Sequence, residues 1–486
     1  MQTLQIRTQI HERFVPEPRL PVDPSKVRAV RFDDEDPHHL VRKLLELHYT
    51  HNDILTLRYY RGRWFHWNGT HYRYIQDDEI RPTINQQLRR ALNGLASQKK
   101  VVRQKVENVT RALEGYCLVS GAAEMPLWLG NGPSPATGTM LGMKNGLLDV
   151  EAALSGKENP LHEPTPHWFS ETYLPYEYAP EAKCPKWQAF LKEVLPGREE
   201  RRMLQEFFGY CLTYDTSYHK ALILVGEGAN GKSVCTEVAT QLLGDGNVSH
   251  VGLERFDDRF AMAPTIGRLA NIVSEIPVVK GVAEDVLKAV VSGDLIRIEF
   301  KYHNPTDARP TARLIFATNE LPHFLDRSEG LWRRLLIIPF EVTIPEEQQD
   351  RKLAQNICGN ELPGLLNWAL HGLRRLREQD MFTVPDSSRE LVEEHRVASN
   401  PAREYLEEWC EVVPDEQTPC DQLYTQYLLW CSGPRNTQPL NRQQFGREVH
   451  RLFPQVQRKQ LRTGKTGKRH YVYVGLLNKR TPSRRP

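Results

Sequence analysis

The sequence predicts an α/β protein built on a central parallel sheet, with an α+β domain before it and a helical segment and small basic domain after it. Three observations carry this prediction. Apolar strands alternate with helical segments from 221 to about 340, the pattern of parallel strands joined by crossover helices. A glycine-rich loop of fixed spacing separates the first of those strands from the helix after it. Basic residues gather at one end, where 455–486 holds ten Lys or Arg and no Asp or Glu.

In chain order, 1–39 is rich in proline and charge and reads as a flexible arm. Residues 40–184 read as an N-terminal α+β domain and connector. Within them, 58–74 resolves into short strands turning at Asn68-Gly69, a strong hairpin signal. Its basic residues interleaved with aromatics suit stacking on single-stranded bases; the same aromatics would equally line a small β core, the commoner outcome. Helical periodicity follows over 81–114. A Gly/Pro-rich loop (130–138) precedes Met143-Lys144-Asn145-Gly146-Leu147-Leu148-Asp149, and a Pro-rich stretch over 160–185 leads out.

Residues 185–345 read as the α/β domain, a helix over 198–214 feeding the strand 221–225. Residues 346–400 form a helical segment (348–379) and a polar linker near 385–400. Residues 401–486 form the basic domain: one helix begins at Leu423, another covers 441–452, and a basic turn over 464–469 joins two strands.

Composition narrows the function classes. No run of eighteen apolar residues exists, so no membrane partner is expected, and the N-terminus lacks the apolar stretch of a secretory signal. Eight cysteines without a C-x-x-C pair argue against a zinc site or a disulfide framework and for a reduced, cytoplasmic protein. A net charge of +3 says little about partners; its concentration in the C-terminal tail says more.

Gly226-Glu227-Gly228-Ala229-Asn230-Gly231-Lys232-Ser233 fits G-x-x-x-x-G-K-[ST], the Walker A pattern, with a strand before it and a helix headed by Val234 after it. Glycines let backbone N–H groups converge on phosphates, and a helix N-terminus adds positive potential. These nine residues, 226–234, are the candidate ATP-binding set. Lys232 would reach the β- and γ-phosphates and Ser233 would ligate Mg²⁺. A second strand (269–273) ends in Ser274-Glu275. Glu275 is the candidate base and second magnesium ligand, Ser274 standing where many such ATPases carry an Asp. A third strand (313–318) ends in Asn319, placed to hold the attacking water or sense the γ-phosphate. Arg333 and Arg334 precede a fourth strand, where an arginine can stabilise transition-state charge in a neighbouring subunit's site.

This order of motifs resembles superfamily 3 helicases of the AAA+ class, in the phage/plasmid and poxvirus-type primase–helicase branch. The segment Glu284-Asp285-Val286-Leu287-Lys288, then Ser292-Gly293-Asp294-Leu295-Ile296-Arg297, looks like that branch's additional motif. The resemblance implies an AAA+ type domain, an ATP-dependent DNA helicase of 3′ to 5′ polarity in replication, and a ring, a homohexamer, with ATP at each interface. Its partners would be single-stranded and forked DNA and replication proteins. It also implies a channel hairpin gripping DNA through Lys301, Tyr302 and His303, and Arg333 or, by preference, Arg334 as arginine finger. The C-terminal region resembles a winged helix, with Arg442, Arg447, Lys465, Lys468 and Arg469 as DNA contacts. No paired-carboxylate motif precedes the ATPase region, so primase activity is not claimed. Two rivals remain open: an ATP-dependent loader or remodeller of a protein partner, and an ATP-binding initiator that does not unwind.

Overall fold

Asp36 opens the first helix of the computed structural model, which describes residues 36–93, 102–130, 140–157, 159–276, 283–300, 305–322, 324, 329–398, 400–433, 439–463 and 468–479. The Asp36 carboxylate accepts from His38 N, and Pro37 occupies the first turn of α1 (Pro37–His48), a combination that starts helices efficiently. The chain is thus helical two residues before the end of the expected arm.

Strands β1 (Leu57–Tyr60), β2 (Arg63–Trp67) and β3 (Tyr72–Ile75) follow as an antiparallel meander, and β4 (Leu118–Val119) pairs parallel to β1. The turn at Asn68-Gly69 forms as expected, with Asn68 Oδ1 accepting from the Thr70 and His71 amides. Trp64, Phe65, Trp67 and Tyr72 are buried, so these aromatics line the β core, while Tyr74 stays exposed. The periodicity over 81–114 resolves into two helices, α2 (Asp77–Asn93) and α3 (Arg103–Tyr116).

The Pro-rich stretch over 160–185, expected to lead out of the N-terminal domain, contributes two short strands to a second sheet. That sheet runs in the order β7 (Leu161–His162), β6 (Gly146–Asp149), β5 (Met140–Met143), β8 (Tyr173–Leu174), with the short helix α4 (Val150–Ser155) following β6. It places Leu141, Met143, Leu148 and Leu174 in one apolar cluster with α5 (Pro185–Val194) and α6 (Arg198–Cys211). That cluster continues into one face of a five-stranded sheet. The sheet comprises β9 (Ala221–Val225), β10 (Val248–Ser249), β11 (Ala270–Val273), β14 (Arg313–Thr318) and β15 (Leu335–Pro339). Its order is β10-β11-β14-β9-β15, and every pairing is parallel. Near-continuous Ile, Leu, Val and Ala make strands that bury on both faces. Helix α7 (Lys232–Leu243) packs in the first cluster, whereas α8 (Glu284–Ser292) packs with the second, on the opposite face. Between α8 and β14, a short antiparallel ladder pairs β12 (Ile296–Ile298) with β13 (Thr306–Ala308).

The long helix α9 (Leu353–Gln379) crosses α6 closely: a Cβ on Gly372 would lie 2.2 Å from Gln205 O. Glu206, fully buried, ties the crossing by accepting from Arg375 Nε (2.6 Å) and from the amide (2.7 Å) and hydroxyl (2.7 Å) of Thr383. The stretch expected to be a polar linker is instead α10 (Asp386–Ala398), whose Leu391 and Val392 pack on the second cluster. Its many charges hide an apolar stripe of only a few residues, which composition alone does not reveal.

The C-terminal part has its own core around Tyr405, Leu423, Tyr427, Phe445 and Val449. Its elements run α11 (Pro401–Trp409), β16 (Cys410–Pro419), α12 (Cys420–Cys431), α13 (Arg442–Leu452), β17 (Gln457–Thr463) and β18 (Lys468–Asn478), with sheet order β16-β18-β17. Asn441 and Gln444 close α13 with a capping box. Among the described residues, no helix is long and apolar enough to cross a membrane.

Candidate nucleotide-binding site

β9 lies between β14 and β15, but the chain leaves it for the far edge, at β10, before filling in β11 and β14. In open parallel sheets this change of direction opens a crevice at the carboxyl ends of the strands. The loop 226–231 sits there, at the end of β9. Gly228 (φ 114°), Ala229 (φ 46°) and Gly231 (φ 89°) take left-handed conformations, which glycine accepts and alanine resists. Gly226 has no room for a side chain, since a Cβ would lie 2.2 Å from Asn230 Nδ2 and 2.4 Å from Phe340 O.

Asn230, buried, fixes the loop from inside: its Nδ2 donates to Phe340 O (3.1 Å) and its Oδ1 accepts from Lys232 Nζ (3.0 Å). Lys232 Nζ also donates to the Gly226 carbonyl, so the ammonium bridges the two ends of the loop. Burial pushes the Lys232 pKa down, and the nearby Glu275 carboxylate opposes this. Ser233 is exposed in the first turn of α7. Below it, Thr236 Oγ1 donates to Ser233 O (3.0 Å) and lies 3.3 Å from Ser274 Oγ. The loop therefore offers a buried cation, an exposed hydroxyl and the start of a twelve-residue helix, a donor set that fits a triphosphate and its magnesium. Among the described residues no group of three or more His, Cys, Asp or Glu is placed to hold a metal.

Glu275 follows β11 and Asn319 follows β14, both exposed. The Ile276 amide donates to Ala317 O (3.0 Å), holding these two strand ends together. Lys232, Glu275 and Asn319 thus share one edge of the sheet. Arg333 and Arg334 do not. They precede β15, whose Leu335 pairs with Ala221, the first residue of β9. A five-residue strand separates the edges by about 17 Å. Arg334 is held within its own chain: Nε and Nη2 donate to Ser292 Oγ (3.1 and 2.8 Å), and Nη1 to Gly330 O. Burial, then Arg333, lowers its pKa. Arg333 is exposed, and its carbonyl accepts from Lys220 Nζ.

Motif reading passes over Lys220 altogether, and it counts Asn230 in the loop without showing that the side chain fixes it. Lys220 joins Arg333 and Arg334 only because β9 and β15 are in register, and burial, then these two arginines, depresses its pKa. Asn230 looks like an ordinary variable loop position until Phe340 is seen beside it.

Lys301, Tyr302 and His303 lie outside the described residues, as does Lys465. The β12–β13 ladder ends, among the described residues, at the pair Ile298 and Thr306. Arg442 and Arg447 are exposed on α13, Arg442 being paired with Asp421. Lys468 opens β18, and Arg469, next to it, is exposed.

By fold, then, the chain is a mixed α/β protein with a five-stranded parallel sheet. By sequence, three segments match known families: 42–196 the family described as "D5 N terminal like", 224–334 a family of unknown function, DUF5906, and 399–480 the RFX DNA-binding domain. The chain is 26% identical over 212 residues to the viral protein named "Putative helicase L207/L206" of Acanthamoeba polyphaga mimivirus, a match covering 41% of this chain and 22% of that protein. It is 24% identical over 315 residues to "Putative helicase 184R" of Invertebrate iridescent virus 6, covering 55% and 32% respectively. The chain therefore matches less than a third of the length of these relatives. Among solved structures, the A-form apo C-terminal region of NrS-1 aligns with a TM-score of 0.48 at 11% identity, over 90% of this chain and 100% of that one.

Proposed function

We propose that this chain is the ATP-driven motor of a DNA helicase of the superfamily 3 type, working in replication of a phage, plasmid, virus or integrated element. The observation that carries the reading is the division of the ATPase residues between two edges of one sheet. Lys232, Ser233, Glu275 and Asn319 stand at the carboxyl edge, and Arg333 stands at the amino edge. A site divided this way is completed when subunits meet head to tail, amino edge against carboxyl edge, a contact that builds a ring when its rotation closes. Similarity to viral proteins named as helicases supports the output as strand separation.

In the proposed mechanism the loop amides and Lys232 bind the phosphates of ATP, and Ser233 holds magnesium, which supplies charge neutralisation there. Glu275 orients the attacking water and accepts its proton. Asn319 reports the γ-phosphate to β14, and through it to the β12–β13 hairpin that precedes this strand. Arg333 of the adjoining subunit completes the site; its exposure favours it over Arg334, which is tied to Ser292. The 399–480 unit, similar to a DNA-binding family, holds duplex DNA through Arg447, Arg469 and their neighbours.

The test is ATP hydrolysis with and without single-stranded DNA, beside unwinding of a forked duplex. DNA-stimulated hydrolysis with strand separation is expected, and Lys232→Ala should abolish both while the protein stays folded. Hydrolysis indifferent to DNA, without unwinding, would point instead to a remodeller of a protein partner. Duplex binding with negligible turnover would point to an initiator.

A further inference from the structure

We infer that Arg63 of the N-terminal sheet is a positioning residue for the β12–β13 ladder, bracing it through Phe300 from outside the ATPase sheet. The inference deepens the reading above, in which this hairpin grips DNA, and rests on it for that role.

Arg63 is itself held rigidly. It begins β2 directly after a two-residue turn in which Arg61 (φ 48°) and Gly62 (φ 76°) both take positive φ, the turn type whose twist suits a hairpin. Phe65 pairs with Tyr74 across β2 and β3, so Arg63 and Tyr74 are diagonal neighbours on one face. The Arg63 guanidinium carbon lies 5.6 Å from the Tyr74 ring centroid and 4.5 Å from that of Phe300. Tyr74 belongs to the N-terminal sheet, whereas Phe300 stands two residues beyond β12, on the rising arm of the hairpin. One planar cation thus joins an aromatic ring from each domain, and an arginine is suited to stacking in this way.

Neighbouring contacts pin the same arm. Ile298 is buried, and Glu299 pairs with Arg259 of the ATPase domain. On the descending side, Arg309 Nη1 donates to Gly293 O (2.7 Å), and its Nε is 4.0 Å from Glu124 of the N-terminal region. The contact from Arg63 brings the N-terminal sheet against Phe300. A hairpin that moves with each hydrolysis step must carry this contact along or break it. Either way, the N-terminal domain is coupled to the stroke.

The experiment uses the full chain and compares Arg63→Ala, Arg63→Lys, Phe300→Leu and the Arg63→Ala/Phe300→Leu pair. Two readouts are taken: amide hydrogen exchange over 296–300 and 305–308, with 232–243 as internal reference, and ATP turnover with and without single-stranded DNA. Arg63→Ala should speed exchange in the hairpin by about three- to tenfold, leave 232–243 and DNA-free turnover unchanged, and reduce DNA stimulation by a similar factor. Arg63→Lys should restore part of the loss. The double variant should be no worse than either single change, because both remove one contact. Unchanged hairpin exchange in Arg63→Ala, or additive losses in the double variant, overturns the brace. Faster hairpin exchange in a protein whose unmutated form ignores DNA keeps the brace and removes the DNA-gripping role instead.

Discussion

At the scale of single residues, the two adjacent arginines separate by what they touch. Arg334 spends its guanidinium on Ser292 and Gly330 within its own chain, while Arg333 is exposed at the sheet edge remote from Lys232. Arg333→Ala should therefore lower ATP turnover by about a thousandfold without loss of thermal stability. Arg334→Ala should instead destabilise the fold by about 2 kcal/mol, read as a lower unfolding midpoint. Mixing Lys232→Ala with Arg333→Ala protein gives a sharper reading. If Arg333 acts across an interface, the two inactive proteins together regain turnover, since some sites then combine an intact loop with an intact arginine. A mixture as inactive as its components would remove Arg333 from the neighbouring site. Sequence order alone left this choice open, because two consecutive residues carry the same motif position and only their contacts differ.

At the scale of elements, legibility followed hydrophobic pattern. The strand 313–318 and the placement of the glycine-rich loop between strand and helix were readable, because apolar runs bounded by glycine and asparagine have few alternatives. The 385–400 stretch was not, since the charged residues of α10 outnumber the Leu391 and Val392 that seat it. The α6–α9 crossing was equally silent. It depends on Gly372, on Gly209 of α6, whose Cβ would meet the Ala369 carbonyl of α9, and on Glu206, residues that read as ordinary in a helix. Glu206 accepts from Arg375 and from Thr383 while fully buried, so Glu206→Ala leaves Arg375 Nε and both Thr383 donors without their acceptor, while Arg375 Nη2 keeps Gln205 and Arg202. A loss of about 3–5 kcal/mol is expected, measured by denaturant unfolding. A change below about 1 kcal/mol would mean that water replaces the carboxylate without cost.

At the scale of the whole molecule, charge is distributed by task. The net charge of +3 is small, yet the C-terminal unit presents Arg447 on α13 and Arg469 on β18 to solvent. Substituting both with alanine in the full chain should weaken duplex binding and reduce the slope of log affinity against log salt by about 2, with DNA-free ATP turnover unchanged. An unaltered slope would place the phosphate contacts elsewhere. The same scale shows where the chain can be divided. Leu141, Met143, Leu148 and Leu174 share a core with α5, α6 and the central sheet, so the packing of the central-sheet unit extends to residues before Pro185. A fragment begun there would carry an uncovered apolar flank and tend to self-associate. Any exchange of this unit between chains meets the same constraint: a transferable piece must bring the strands from Met140 with it, and a cut at Pro185 would hand on the central sheet without its wall.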